Sequence, residues 1–241
     1  MKISVIVPAY NEERLLPESL GSILAAMPAF HEAGWDVELI VCDNNSTDRT
    51  SEVAAAAGAI VVFEPVNQIG RARNTGASRA TGDWLLFIDA DSFPTRELFA
   101  DVAAAIRDGR CLAGGSTVYS TEAGAGFNTI LTTWNAISRL RKFAAGSFIF
   151  CEAIAFRQIG GFSPLLYATE EVELFTRLKR LARRSGRRIV ILHRHPLRTS
   201  GRKARLYTGW EMFGLWLRAV ATAGRPFRTA KGSYIWYDGR R

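Results

Sequence analysis

The sequence lacks the long apolar segments that mark a membrane-spanning or secreted protein. No stretch of 18 or more uncharged apolar residues occurs in its 241 residues, so we predict no transmembrane helix. The apolar run over residues 3–7 is too short for a signal peptide, and Pro8 follows it at once. We therefore expect a cytoplasmic protein.

Cysteine is scarce, and two nucleotide-binding motifs are absent. Cys42, Cys111 and Cys151 lie in apolar, strand-like contexts, which favours reduced core thiols over disulfides or a metal cluster. The first loop lacks the G-x-G-x-x-G pattern, which disfavours a dinucleotide-binding dehydrogenase, and it lacks G-x-x-x-x-G-K-[ST], which excludes a P-loop nucleotidase.

Acidic residues are nearly missing from the last quarter of the chain. Residues 177–241 hold 18 lysines and arginines against two acids, a net charge of +16, whereas residues 1–176 carry a net charge of −8. This asymmetry favours an anionic partner for the tail, either nucleic acid, an anionic membrane surface at which the protein is peripheral, or a phosphorylated substrate. A solvated basic surface without a partner is the alternative.

Strands and helices alternate along the first half, which predicts an α/β fold with a mostly parallel sheet and helices on both faces. We expect strands over residues 3–7, 37–42, 59–63 and 84–88, and helices over residues 12–27, after the turn at 44–48 through 57, over 70–79 and over 95–107. The second half is less regular. There we expect strands over residues 111–118, 147–156 and 188–192, and helices over residues 127–143, 170–185 and 205–223.

The most informative segment is Asp89-Ala90-Asp91, which ends the apolar run Trp84-Leu85-Leu86-Phe87-Ile88. Ligands bind at the carboxyl ends of strands in α/β sheets. Two acids at positions i and i+2 point to the same side of an extended chain and repel each other unless a cation lies between them. The alternative is an aspartate that caps the helix predicted to begin near residue 95.

Further polar residues follow the other predicted strands. Asp43 ends the second strand and could accept hydrogen bonds from a nucleotide base or ribose, or form an ordinary turn. The arginines of residues 71–76 open a helix and could bind a diphosphate through paired hydrogen bonds, or lie on a solvated helix face.

Taken together, these segments resemble the family-2 glycosyltransferases, which have the GT-A fold. The order and spacing of the family's motifs are matched by residues 5–12, 41–50, 71–76 and 89–91. The family's F-R-x-x-G-G-F stretch is similar to residues 153–162. Its E-D-x-[DE]-L-x-x-R segment is similar to residues 169–174 with Arg177. The resemblance covers roughly residues 3–180 and implies a nucleotide-diphosphate sugar donor, a UDP- or GDP-sugar, with Mn²⁺ or Mg²⁺ assistance and inversion.

The resemblance also implies roles for individual residues on the donor side. Pro8, Ala9, Tyr10 and Asp43 would hold the base and ribose, with Glu12 supporting that loop. Arg71 would lie near the base or diphosphate, and Asp89 would contact the ribose or the sugar. Asn74 and Ala90 are further donor-binding candidates, and Asp91 would bind the metal ion as part of a DXD motif.

Glu171 falls where the family usually has the aspartate that acts as general base. The extra methylene moves the carboxylate by roughly 1 Å, a scale at which misplacement can cost about 100-fold in rate. Glu170 is the alternative base. Both glutamates also suit a helix N-terminus, and Glu173 can pair with Arg177 four residues on.

Two further groups are candidate ligands. His193 and His195 share one face of a predicted strand, and either could complete the metal shell, although a surface histidine is the commoner outcome. The basic loop after them suits a diphosphate or a lipid phosphate, and its candidate contacts are Arg198, Ser200, Arg202 and Lys203. The helix after that loop has aromatic and basic residues suited either to a membrane interface or to packing on the core.

We expect one catalytic domain over residues 1–223, with a nucleotide-sugar-binding half at 1–118, an acceptor-side half at 119–223 and a short basic tail at 224–241. The leading prediction is a hexosyltransferase acting on an acceptor hydroxyl or lipid phosphate, with a sugar or lipid-linked acceptor and no nucleic acid partner. The alternatives are an inactive donor-binding relative, a sugar-phosphate nucleotidyltransferase, whose glycine-rich first loop is missing here, and a basic membrane- or nucleic-acid-binding protein, which leaves the acids at the strand ends unexplained.

Overall fold

A computed structural model describes residues 1–122, 125–201 and 229, with no side-chain description for 125 and 126. Arg202, Lys203, the helix predicted over residues 205–223 and the tail from residue 224 lie outside the described residues, apart from Thr229. No helix within the described part of the chain is long and apolar enough to cross a membrane.

Eight strands and eight helices are described. The strands are β1 (Lys2–Ala9), β2 (Asp36–Asp43), β3 (Ile60–Phe63), β4 (Trp84–Ile88), β5 (Ser92–Phe93), β6 (Cys111–Tyr119), β7 (Phe148–Glu152) and β8 (Arg188–Thr199). The helices are α1 (Leu16–Ala26), α2 (Pro28–Glu32), α3 (Thr50–Ala56), α4 (Ile69–Arg79), α5 (Arg96–Arg107), α6 (Ala125–Arg141), α7 (Ala153–Gln158) and α8 (Glu170–Arg184).

The strands form one sheet in the order β3-β2-β1-β4-β7-β6-β8-β5. β3, β2, β1 and β4 are parallel, and β6 and β8 are parallel to each other. β7 runs antiparallel to both β4 and β6, and β5 runs antiparallel to β8. The sheet is therefore mostly parallel, as the alternation of predicted elements indicated.

The register brings the ends of the parallel strands to one edge. Ala9 pairs with Asp43, and Asp43 pairs with Phe63, so three strands finish side by side. β4 pairs with β1 from Ile3 to Ile6 and ends at the same edge. Every polar side chain that follows these strands is consequently delivered to one region.

Alternate residues of the central strands supply two apolar cores. Val5 and Leu86 pack on the face that carries α1, α2 and α5, whereas Ile6 and Phe87 pack on the face that carries α4, α7 and α8. Gly76 lets α4 lie close to β1, because a Cβ there would come within 2.5 Å of the Ile6 methyl group. The helices on both faces fix the sheet edge between two rigid layers.

Three element predictions need correction. The strand expected over residues 147–156 ends at Glu152 and gives way to α7, since a short apolar run without periodicity does not distinguish helix from strand. β8 continues seven residues beyond residue 192, and its end pairs with β5, a two-residue strand that no sequence pattern marked. The first helix begins at Leu16 rather than at residue 12.

Candidate active site

Asp89 and Asp91 stand directly beyond β4, whose five residues are all buried. The backbone N–H of Asp89 donates to the Ser147 carbonyl at 3.2 Å, and its own carbonyl accepts from the Ser92 N–H at 3.1 Å. Asp91 is held by Ser200, whose Oγ donates to Asp91 Oδ2 at 2.7 Å and whose N–H donates to the Asp91 carbonyl at 3.0 Å. Both acids are thus fixed by segments far away in the sequence.

Arg73 is the buried centre of the site, with only 1% of its side chain exposed. Its guanidinium donates to Asp89 Oδ1 at 2.8 Å, to Glu170 Oε1 at 2.7 Å and to the Gly146 carbonyl at 2.9 Å. Burial alone would lower the pKa of Arg73, but the negative charges of Asp89 and Glu170 outweigh burial. The pKa of Arg73 therefore lies above its ordinary value. One cation therefore ties α4, the end of β4 and the start of α8 together.

Glu170 and Glu171 open α8, where the helix dipole favours negative charge. Thr169, directly before them, has φ of 61°, an uncommon value for a β-branched residue. Glu170 is buried against Arg73, and Glu171 lines the cavity. Burial, reinforced by the neighbouring Glu170 carboxylate, raises the pKa of Glu171 to about 8.

These side chains surround a cavity of about 400 Å³. Its polar lining consists of the acidic groups and their neighbours, namely Arg73, Asp89, Asp91, Ser147, Thr169, Glu170, Glu171, Thr199 and Ser200. The rest of the lining is an apolar wall, which consists of Ile69, Val118, Phe127, Ile130, Leu131, Trp134, Ala145, Tyr167 and Ala168 together with Gly146. The cavity has the size and mixed lining of a small-molecule site.

The ends of β1 and β2 form a second polar cluster. Asp43 is buried and accepts from the Ser46 N–H at 3.0 Å and from Ser51 Oγ at 2.6 Å. The N–H of Glu12 donates to Thr50 Oγ1 at 2.8 Å, and Asn11 adopts φ of 51° in the loop between. The loop predicted to hold a nucleotide is thus shaped by bonds to the start of α3.

The remaining residues of that loop lie where the strand register puts them. Pro8 and Ala9 are buried at the end of β1, Tyr10 is partly exposed directly after it, and Ala90 is buried between the two aspartates. The structure thereby brings the predicted donor-side residues to one sheet edge, and their contacts with a nucleotide stay predictions.

Residues at the start of α4 are arranged differently from the expectation. Arg71 is exposed, and its Nε donates to Gln68 Oε1 at 3.0 Å. Both atoms of the Asn74 amide are engaged with the Phe162 backbone, Nδ2 donating at 2.8 Å and Oδ1 accepting at 2.9 Å. Asn74 therefore positions the chain before α8, and a donor contact from it stays a prediction.

The histidines correct the expected metal shell. His195 Nδ1 lies 3.0 Å from Asp101 Oδ2 on α5, and His193 lines a separate groove between α5 and β8. Both histidines lie in the part of β8 where a bulge interrupts the pairing with β6, whereas Ser200, which contacts Asp91, follows that bulge. Neither histidine lines the cavity of the two aspartates, so the structure does not support either as a ligand of the same ion.

Arg198 is likewise occupied outside the cavity. Its guanidinium donates to Glu18 Oε1 at 2.7 Å and lies 3.8 Å from the centre of the Phe93 ring. Of the predicted acceptor or phosphate contacts, Ser200 lines the cavity through its bond to Asp91.

Sequence reasoning missed two residues that organise the site. Arg73 was included in a basic segment, yet Arg71 was chosen for the donor contact. Gly70 and Ala77 lie three and four residues from Arg73 on the same helix face, which was a signal that Arg73 is buried. Gln68 is buried and donates to the Pro164 and Leu166 carbonyls at 3.0 and 2.7 Å, a contact with no sequence signal.

The fold of the described residues is the GT-A fold of nucleotide-sugar glycosyltransferases. The structure of Staphylococcus aureus TarS residues 1–349 in complex with UDP-GlcNAc matches with a TM-score of 0.65 and 21% identity, over 83% of this chain and 58% of that one. The mannosyltransferase PcManGT of Pyrobaculum calidifontis, in complex with GDP-Man and Mn²⁺, matches with a TM-score of 0.66 and 21% identity, over 88% and 59%.

The model of glycosyl transferase family 2 matches residues 4–159, and the chain belongs to this family. An uncharacterized glycosyltransferase of Mycobacterium tuberculosis is 45% identical over 89 residues, which are 37% of this chain and 36% of that protein. The matched region thus spans about a third of that relative's length. The membership confirms the family resemblance, with the fold that it implies.

Proposed function

We propose that this glycosyltransferase moves a hexose from a nucleoside-diphosphate sugar to an acceptor hydroxyl with inversion. The observation that carries the proposal is the Arg73 centre, which fixes Asp89 and Glu170 around the cavity that Asp91 and Glu171 also line. The bound UDP-GlcNAc and GDP-Man of the two structural neighbours support a donor of this class. We propose one catalytic domain over residues 1–223, with its donor half at 1–118, its acceptor half at 119–223 and a basic tail from 224.

A divalent cation fits the acids of this site. Among the described residues no three His, Cys, Asp or Glu side chains come together as a complete metal site. Asp91 and its neighbour Asp89 instead suit an ion that takes its other ligands from substrate phosphates and water, as Mg²⁺ commonly does. When bound, such an ion would stabilise negative charge on the departing nucleoside diphosphate.

The chain's own groups account for the remaining steps. Glu171 accepts the proton of the acceptor hydroxyl, whose oxygen forms a bond to the anomeric carbon on the face opposite the diphosphate. The bond from that carbon to the diphosphate oxygen breaks, and a single displacement inverts the configuration. Arg73 holds Asp89 and Glu170 in place, and the Asp43 loop binds the nucleoside.

A thermal-shift screen of UDP, GDP and their sugars, with and without Mn²⁺ or Mg²⁺, tests the donor class. We expect one nucleotide to raise the melting temperature by several degrees only when metal is present, because a ligand that binds the native state stabilises it. Asp91→Asn should remove this shift, whereas Asp36→Asn, the same change on an exposed residue at the start of β2, should retain it. No shift with any nucleotide would contradict the proposal.

A further inference from the structure

We infer that the acceptor is a neutral alcohol attached to an apolar body, such as a long-chain or terpenoid alcohol. This inference rests on the proposed function and identifies the substrate class of the same cavity. It starts from α6, whose residues Phe127, Ile130, Leu131 and Trp134 all belong to the apolar wall of the cavity that the acids also line. Their spacing of i, i+3, i+4 and i+7 places them on one face of the helix.

The apolar character of this wall extends along the helix. The chain has no charged residue from 123 to 138, although part of α6 is exposed to solvent. Ile130 is 45% exposed, although it is a large apolar residue that lines the same cavity as four carboxylates. Thr132 and Thr133 donate their hydroxyls to carbonyls of their own helix at 2.8 and 2.9 Å, which removes two polar groups from its surface.

The helix is held rigidly enough to form a binding wall. The side-chain amide of Asn135 accepts from the Val118 N–H at 3.0 Å and donates to the Val118 carbonyl at 2.8 Å, so it joins α6 to the end of β6. Leu131 and Trp134 also pack on the core below. The wall is therefore a fixed surface that continues into the site.

Charge selects the reactive group of the acceptor. The cavity is lined by Asp89, Asp91, Glu170 and Glu171 and by one buried arginine, whose guanidinium is bonded to two of these carboxylates. With the proposed cation at Asp89 and Asp91 and with Arg73 bonded to Glu170, the Glu171 carboxylate is the acidic group left to face the acceptor. A phosphate beside Glu171 would be repelled, whereas a neutral hydroxyl can donate its proton to Glu171. The cavity thus matches a molecule with a hydroxyl at one end and hydrocarbon behind it.

The test is transfer by the purified full chain from UDP-glucose, UDP-GlcNAc or GDP-mannose with Mn²⁺ to n-alkanols from butanol to decanol. We expect glycosylated alkanols, with KM falling about fourfold for each added methylene until the wall is covered. Decyl phosphate, glycerol and free glucose should be poor acceptors. Equal or better transfer to these polar or charged acceptors would overturn the inference.

Two matched variants locate the binding surface. Ile130→Asn should raise the KM for decanol about tenfold, with nucleotide binding and slow donor hydrolysis unchanged. Ile137→Asn is the control, because Ile137 lies on the same helix face and is 44% exposed but does not line the cavity. Equal effects of the two variants would contradict the assignment of the wall.

Decanol binding measured by calorimetry without donor separates the two proposals. If no nucleotide sugar binds but decanol does, the proposed function fails and the apolar site stands. If the donor binds and is hydrolysed while decanol neither binds nor accepts sugar, the acceptor inference fails alone.

Discussion

The proposed donor and acceptor sides of the site are built from opposite kinds of interaction. On the proposed donor side, Asp43, Gln68 and Asn74 are all held by hydrogen bonds to the backbone or to hydroxyl groups. On the proposed acceptor side, α6 presents a row of apolar side chains to the cavity, and Ile130 among them is exposed to solvent. A polar network fixes groups in one orientation, whereas an apolar wall discriminates mainly by shape and buried area.

Arg73 is the residue that joins these two sides. It reaches from α4 to the end of β4 and to the start of α8, where the proposed base lies. The proposed donor and acceptor sides therefore depend on Arg73 for their relative position.

Arg73→Met should give the largest effect. It leaves Glu170 buried without its partner, and removing one member of a buried ion pair costs about 3–5 kcal/mol of unfolding free energy. Arg71→Met, on the exposed face of the same helix, should change stability by about 0.5 kcal/mol or less. Urea denaturation of both variants measures the difference, and equal values would show that Arg73 has no special part in joining the two sides.

The sequence predicted the elements of the first half of the fold much better than those of the second half. β4 was predicted to the residue, and the β-α alternation gave the parallel sheet, because buried strands and amphipathic helices have strong local patterns. The acids at the strand ends were predicted as site residues because α/β sheets bind ligands at the carboxyl ends of their strands. These signals are all local in the chain.

The missing parts depend on contacts between residues distant in sequence. Arg73 meets Glu170 across 97 positions, and Ser200 meets Asp91 across 109, so no local pattern reveals either bond. The contact of His195 with Asp101 is equally remote, and His195 does not line the cavity of the two aspartates. The helix α7 was missed because its apolar residues continue directly from β7.

Glu171→Gln should reduce sugar transfer by about a hundredfold or more, because the amide cannot accept the hydroxyl proton. Nucleotide binding by thermal shift should persist, since the change is on the acceptor side. Glu173→Gln is the matched control two residues on, where the carboxylate pairs with Arg177 instead. Transfer at the wild-type rate by Glu171→Gln would exclude Glu171 as the base.

The raised pKa of Glu171 predicts opposite pH trends for activity and stability. Transfer measured as kcat/KM should rise with pH through about 8, as the carboxylate that accepts the proton forms. The folded state binds this proton more tightly than the unfolded chain, whose glutamate titrates near 4.5. The stabilisation is therefore full below that value and is lost as pH rises through about 8.

Paired pH profiles of the wild type and Glu171→Gln check both trends. The unfolding free energy of the variant should fall less steeply between pH 4.5 and 8, because glutamine has no proton to lose at that position. Identical stability profiles for the two proteins would place the titrating group elsewhere.

Thr169→Gly should give the smallest effect, and a stabilising one. A non-glycine residue at φ of 61° costs about 1–2 kcal/mol, while glycine costs about 0.5–1 kcal/mol in additional chain entropy. The net gain of about 0.5–1 kcal/mol should raise the melting temperature by roughly 1–4 °C. Thr169→Ser keeps the side-chain strain and should give no gain. Thermal denaturation of the two variants measures the difference, and an equal melting temperature for both would show that the backbone of Thr169 is not strained.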